Sequence, residues 1–434
     1  MRSEESLRNG RGHGASWIPS LFGAEEIPAA IVTYVSLLMF LQADTSPALS
    51  TLYCGCLFLP WVLKSFYRER VRRIGHFRRQ IQWTELAMVM TLVSIALVFA
   101  RYTIAGEWLF LSLFVLSFLT AWHELAARMY YERMLYPEEQ RLWNGPKMFF
   151  SQVAVVFTYG LVIMLVGALQ VIYRRMSMAW SEGCYIVAGV FLLFAVYHIV
   201  VLRRPRVGDA HYPGSTFGAV KAEVRALERI RQKKHWLLAV VMLVMALLPQ
   251  GLMFYTRVIF LLTPALEGGL GCTIQDVAFA QGTVGVIGFS VGIALGRQLT
   301  GWLSSERVFW WLTIPLGLSP CVYVALTFAP PSSLWLLSLA TFHAQFLFGF
   351  GLPICNHFVR YISGERYRNT INYLYIPLVA LSLVVPISLS GWLIGILGFR
   401  LFFIVDAALA PVAWMLLYVT RVDKKLKTND VKTI

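Results

Sequence analysis

Charge is what this sequence has least of. Lysine, arginine, aspartate and glutamate make up 14% of its 434 residues, against roughly a quarter in soluble domains. So few charges cannot dress the surface of a soluble protein of this size, and 58% of the residues are hydrophobic. Cysteine is also sparse. The six (54, 56, 184, 272, 321 and 355) lie in or beside apolar runs, and Cys54 and Cys56 point about 200° apart on a helix. That excludes a bridge or a shared metal between those two, and the spacing of the six implies no disulfide framework and no metal cofactor. A histidine-rich cluster, a glycine-rich phosphate loop and a serine or cysteine with a base beside it are all missing. The reading is of a protein that is not an enzyme and has no cofactor.

The net charge of +15 would suggest nucleic acid as a partner in a soluble chain. Here the basic residues sit in short loops and at helix ends, without a compact basic domain, so a nucleic-acid partner is not expected. What fills the sequence instead is apolar runs of about twenty residues, the length that crosses a hydrocarbon core of about 30 Å. These predict twelve spans: 18–42, 47–66, 84–101, 107–129, 148–171, 184–201, 236–262, 277–295, 308–328, 334–359, 374–397 and 401–420. The first is too long for a signal-peptide core and lacks a small-residue cleavage pattern, so it reads as a permanent span.

Lysine and arginine collect in cytoplasmic loops. With both termini inside, 33 of the 38 basic residues fall on the inner side, leaving Arg101, Arg174, Arg175, Arg257 and Arg400. This alternation supports an even number of spans. The longest polar stretch, 203–234, divides the chain into six spans plus six: residues 1–202, a basic cytoplasmic linker at 203–234, and residues 235–434. The expectation is an all-α membrane protein of two six-helix bundles, monomeric in the lipid bilayer. Pro28 in the first span and Pro249 in the seventh interrupt the backbone ladder at similar positions of the two halves, a pointer to a central site.

Several segments carry a family likeness. GAEEIPAA resembles an F-A-E-G-[IL]-P opening, and LFLPWVLKSF resembles the end of the same family's second helix. The longest match is FLLTPALEGGLGCTIQDVAFAQGTVGVIGFSVGIALG; QFLFGFGLP and SGWLIGILGFRLFF also fit. In order and spacing these pieces, covering most of Ser20 to Val422, resemble the AmpG-like branch of the major facilitator superfamily, with its muropeptide permeases and acetyl-CoA transporter relatives. The resemblance implies a major-facilitator-type fold and a secondary transporter in a bacterial inner membrane. Its solute would be a sugar, a muropeptide or another anionic metabolite, moved by alternating access and possibly with a proton. The departures thin the family's polar core: Arg128 stands where an acid is expected, and Gln250 and Ala344 replace charged positions. A non-transporting scaffold or sensor would show such thinning too.

Ionisable residues inside lipid are costly and mark function. Glu25 matches the family acid and is a substrate or proton site, or else an interface acid paired with a loop cation; Glu26 beside it points about 100° away. His123 and Glu124 suit a proton relay, or Glu124 forms a latch with Arg128 on the same helix face. Arg257, far from any loop, suits bidentate recognition of an anion or snorkels to the outer surface. Gln250 and His343 are further candidates for the cavity lining, and Asp406 is a possible partner of Arg257. Most tryptophans fall at helix ends, as in an interfacial belt.

The even-span map makes a direct prediction. Cysteines introduced at Ser215 and Asn429 should resist impermeant thiol reagents applied to intact cells, while one at Gly269 should react. The opposite pattern would overturn the topology.

Overall fold

The computed structural model describes residues 14–101, 106–203, 228, 236–302, 305–331, 333–355, 358 and 368–421. The 203–234 linker expected from the sequence lies almost wholly outside them. Among the described residues the chain is helical throughout, as a backbone in hydrocarbon must be to satisfy its own N–H and C=O groups. The helices are α1 (Ile18–Gln42), α2 (Pro47–Val62), α3 (Phe77–Ala100), α4 (Gly106–Met134), α5 (Pro137–Tyr173), α6 (Met176–Val201), α7 (Trp236–Leu262), α8 (Ile274–Trp302), α9 (Ser305–Phe328), α10 (Leu334–Gly351) and α11 (Arg368–Thr420). A short basic helix, Lys64–Ile74, follows α2.

Ten of these are long and apolar enough to cross a membrane, or eleven with the bent pair after Pro47 counted as one. Within α11 the backbone leaves the helical region at Gly398 (φ 69°, ψ 164°). The apolar part of α11, Leu381–Thr420, is 40 residues long, about 60 Å of helix, or two crossings. Counting its two arms separately gives the expected twelve. Exposed tryptophans stand near helix ends, among them Trp83, Trp108, Trp302 and Trp335.

Contacts divide the chain into two units, residues 1–45 with 66–216, and residues 46–65 with 217–434. The division departs from the sequence reading in one element: α2 groups with the C-terminal half. The cause is close packing on α11. A Cβ on Gly55 would collide with Ser388, one on Gly391 would collide with Pro47, and Gly391 N–H donates to Thr51 Oγ1 at 3.1 Å.

The expected symmetry of interrupted helices is only half present. In the first unit Pro28 is followed at once by a π-helical turn, Ile31–Val35. In the second, α7 continues through Pro249 without a break. The other π turns are Val156–Val162 in α5 and Ala278–Gly285 in α8, and such turns recur at functional sites because they re-aim side chains. The tyrosines of the two π turns in the first unit, Tyr34 and Tyr159, stack at 5.2 Å.

The longest family-like segment turns out to be architectural. Gly268 (φ 85°) and Gly271 (φ 63°) make the turn after α7, where the N–H groups of Leu270 and Cys272 return to Phe260 and Leu261 carbonyls. Thr273 and Asp276 then cap α8 reciprocally. Along α8, Gly288, Gly292 and Gly296 lie against the backbone of Phe342, Phe346 and Phe350 in α10, the small-residue approach by which membrane helices pack. Gly292→Leu would drive its side chain into that backbone, so the variant should lose about 3 kcal/mol or more of stability and aggregate on detergent extraction. Gly189→Ala, with nothing within 4 Å of the added carbon, should elute and melt as the wild type does. Equal behaviour of the two variants would refute the packing argument.

Candidate functional site

Each unit contains a cluster of buried polar groups. In the first unit α1 contributes Glu25, whose Oε2 is buried with no hydrogen-bond partner among the described residues. The charges that act on Glu25 are Glu124, Lys147, Glu26 and His123, so the expected Glu25, Glu26, His123 and Glu124 belong to one electrostatic cluster. Lys147 of α5 is the cation the sequence reading counted among loop residues. Its ammonium sits over the Phe22 ring at 3.7 Å and near the Tyr131 ring at 5.4 Å, an arrangement that lends a cation partial shelter from lipid.

Deeper in the same unit lies a group the sequence reading missed. Glu85 of α3, His123 of α4 and His198 of α6 all have zero exposure. Glu85 Oε1 is 3.3 Å from His123 Nε2 and 2.6 Å from His198 Nδ1, and His198 Nε2 is 3.0 Å from Ser20 Oγ of α1. The acid that His123 meets is therefore Glu85, and no hydrogen bond joins it to Glu124 among those resolved. Adjacent positions on a helix diverge by about 100°, so Glu124 cannot face the same neighbour. Arg128, the expected latch partner of Glu124, also reaches Glu132 at 3.4 Å. Glu85 was legible in principle, as an acid followed by fifteen residues without a charge.

In the second unit Arg257 of α7 is only 4% exposed, so it does not snorkel. With the Gln345 amide of α10 turned so that its oxygen faces the guanidinium, Nη1 and Nη2 donate to it at 2.5 and 3.0 Å, and Arg257 lies 5.3 Å from the Phe254 ring. The Gln345 amide approaches that of Gln281 to 3.3 Å, and the Gln281 amide lies within hydrogen-bond distance of Tyr323 Oη, at 2.9 Å. Gln281 stands in the π turn of α8, and Tyr323 on α9 stacks on Phe403 at 5.5 Å. Among the described residues no carboxylate pairs with Arg257, and its Nε has no hydrogen-bond partner.

The other candidates lie apart from this cluster. Gln250 donates to the Leu316 carbonyl at 2.8 Å, which joins α7 to α9. His343 is exposed and bonds to Leu339 O on its own helix at 2.9 Å; two positions, about 200° of helix, turn it from the face that carries Gln345. Asp406 is buried with both oxygens unpartnered, and it does not pair with Arg257.

A cation shared only among neutral amides and a phenol is stabilised by hydrogen bonds but retains its whole charge, a costly state in a low-dielectric interior. Gln345→Glu tests this balance. A carboxylate at that position should pair with Arg257 and raise the melting temperature by several degrees, about 1–3 kcal/mol, while abolishing any binding of an anion there. A variant less stable than Gln345→Leu would contradict it.

No family model and no curated protein matches this sequence. Solved structures do match over nearly the whole chain. A bacterial homologue of the human lysosomal transporter Spinster aligns with 97% of this chain and 99% of its own at 14% identity, TM-score 0.71. The nucleoside transporter NupG aligns with 94% and 99% at 13% identity, TM-score 0.68. The xylose transporter XylE from E. coli aligns with 93% and 96% at 12% identity, TM-score 0.62. These neighbours are titled as transporters, and the chain is an all-α membrane protein with their major-facilitator-type fold.

Proposed function

We propose that this chain is a secondary transporter of the AmpG-like kind. It would import a cell-wall-derived sugar or muropeptide bearing an acidic group across a bacterial inner membrane, as a monomer with both termini in the cytoplasm. The fold supports carriage of a small solute, because neighbours of the same fold are titled as transporters of nucleosides, peptides and xylose. The observation that carries the choice of solute is Arg257. A buried guanidinium with a free Nε and no acidic partner among the described residues is matched to a planar anion, which the forked donors bind bidentately.

Alternating access would expose the solute site to each side of the membrane in turn. Energy coupling needs a group whose proton occupancy biases the two states. Gln250 and Ala344 cannot titrate, so that role passes to the acids and histidines of the first unit. A scaffold or sensor is the second reading, favoured by the same loss of charge at positions 250 and 344.

Counterflow of a radiolabelled muropeptide in proteoliposomes separates the two. The carrier reading expects exchange without any imposed gradient and added accumulation under an inward pH gradient. Glu25→Gln, which removes charge at nearly constant volume, should weaken the pH response while expression holds. Arg257→Lys keeps the charge but loses the fork, and should lower apparent affinity by about tenfold or more. No exchange with any acidic sugar would transfer the assignment to the scaffold.

A further inference from the structure

The enclosed group in the first unit holds more histidine nitrogens and carboxylate oxygens than packing requires. Glu85 Oε1 is shared by two imidazoles, while Glu85 Oε2 and His123 Nδ1 have no hydrogen-bond partner among the described residues. All three side chains have zero exposure. A carboxylate buried so completely is an uncompensated charge, and one proton on either imidazole cancels it.

The hydrogen bonds around His198 accept that proton without loss. Ser20 Oγ lies 3.0 Å from His198 Nε2 and 3.1 Å from the Trp17 carbonyl, and it has a single proton to give. With His198 neutral, Nδ1–H donates to Glu85 and the Ser20 hydroxyl donates to Nε2. With His198 as imidazolium, both ring nitrogens donate, to Glu85 and to Ser20 Oγ, and the hydroxyl turns to the Trp17 carbonyl. That carbonyl also accepts from Leu21 N–H at 2.9 Å, so it is satisfied in either arrangement. The two arrangements differ by one proton and one rotation of a hydroxyl.

We propose that Glu85, His123 and His198 form a proton-binding centre, with Ser20 as its link to α1. Ser20 precedes Glu25 by five residues, about 7.5 Å of helix, so proton occupancy is felt on the helix that presents the proposed solute acid. The titratable groups facing the centre come from every neighbouring helix. On Glu85 they are His123 of α4 and His198 of α6. His123 acts in turn on Glu25 of α1, whose other charged neighbours are Glu26 of α1, Glu124 of α4 and Lys147 of α5. The binding of the proton stands on this geometry alone; its service in energy coupling rests on the transporter reading.

The test uses full-length protein in lipid nanodiscs with 13C at the histidine ring Cε1, its signals assigned through His123→Gln and His198→Gln. Across a pH series the Cε1 signals of His198 and His123 should move, and the response of each should change when the other is replaced. Glu85→Gln should change both. Ser20→Ala, which removes only the link, should change the response of His198 and leave that of His123 in place. A His198 signal that stays fixed across the series overturns the centre, and an unchanged His198 response in Ser20→Ala overturns the link. Because no solute is present, either result is independent of the uptake experiments.

Discussion

An ionic group inside a hydrocarbon-spanning fold must be paired, hydrogen-bonded or used, because its desolvation costs several kcal/mol. That single constraint organises this molecule. With only 14% charged residues, each buried charge can be weighed singly, and the buried atoms without a hydrogen-bond partner among the described residues include Arg257 Nε in the second unit and Glu25 Oε2, Glu85 Oε2 and His123 Nδ1 in the first. Elsewhere polar side chains staple helices together. Gln250 bonds to Leu316, Ser319 to Ala344, and Gln42 accepts from both Gln170 and Trp180.

The two units meet the constraint in opposite ways. The first concentrates acids and sets Lys147 and two imidazoles among them. The second holds Arg257 among amides and a phenol, apart from the buried Asp406. The π turns serve these arrangements by placing Gln281 on the Arg257 cluster and Tyr34 against Tyr159.

Most of the fold was legible in the sequence because hydrocarbon imposes length and composition on every span. Twelve apolar runs, the tryptophans at helix ends and the singular Arg257 all follow from that rule. Hydropathy is blind to which side chains face each other across helices. Glu85 was passed over because the third span was drawn from Thr84, which made the acid look terminal; the helix begins at Phe77, so Glu85 lies more than two turns inside it. His198 was likewise hidden by its place near the end of α6. Gln281 and Tyr323 are unremarkable as residue types, and only the π turn of α8 and the packing of α9 give them a role. Periodicity alone likewise does not say that His343 lies on an exposed face of α10.

If Arg257 is kept for an anion, an acidic solute should bind the native protein. Thermal unfolding of the purified protein against acidic muropeptides, neutral amino sugars and acyl-CoA compounds measures this directly, since a ligand of the native state raises its apparent stability. The prediction is stabilisation by acidic compounds that survives in His343→Gln and is lost in Arg257→Lys. Stabilisation by neutral sugars alone, or by acidic ones equally in Arg257→Lys, would contradict it.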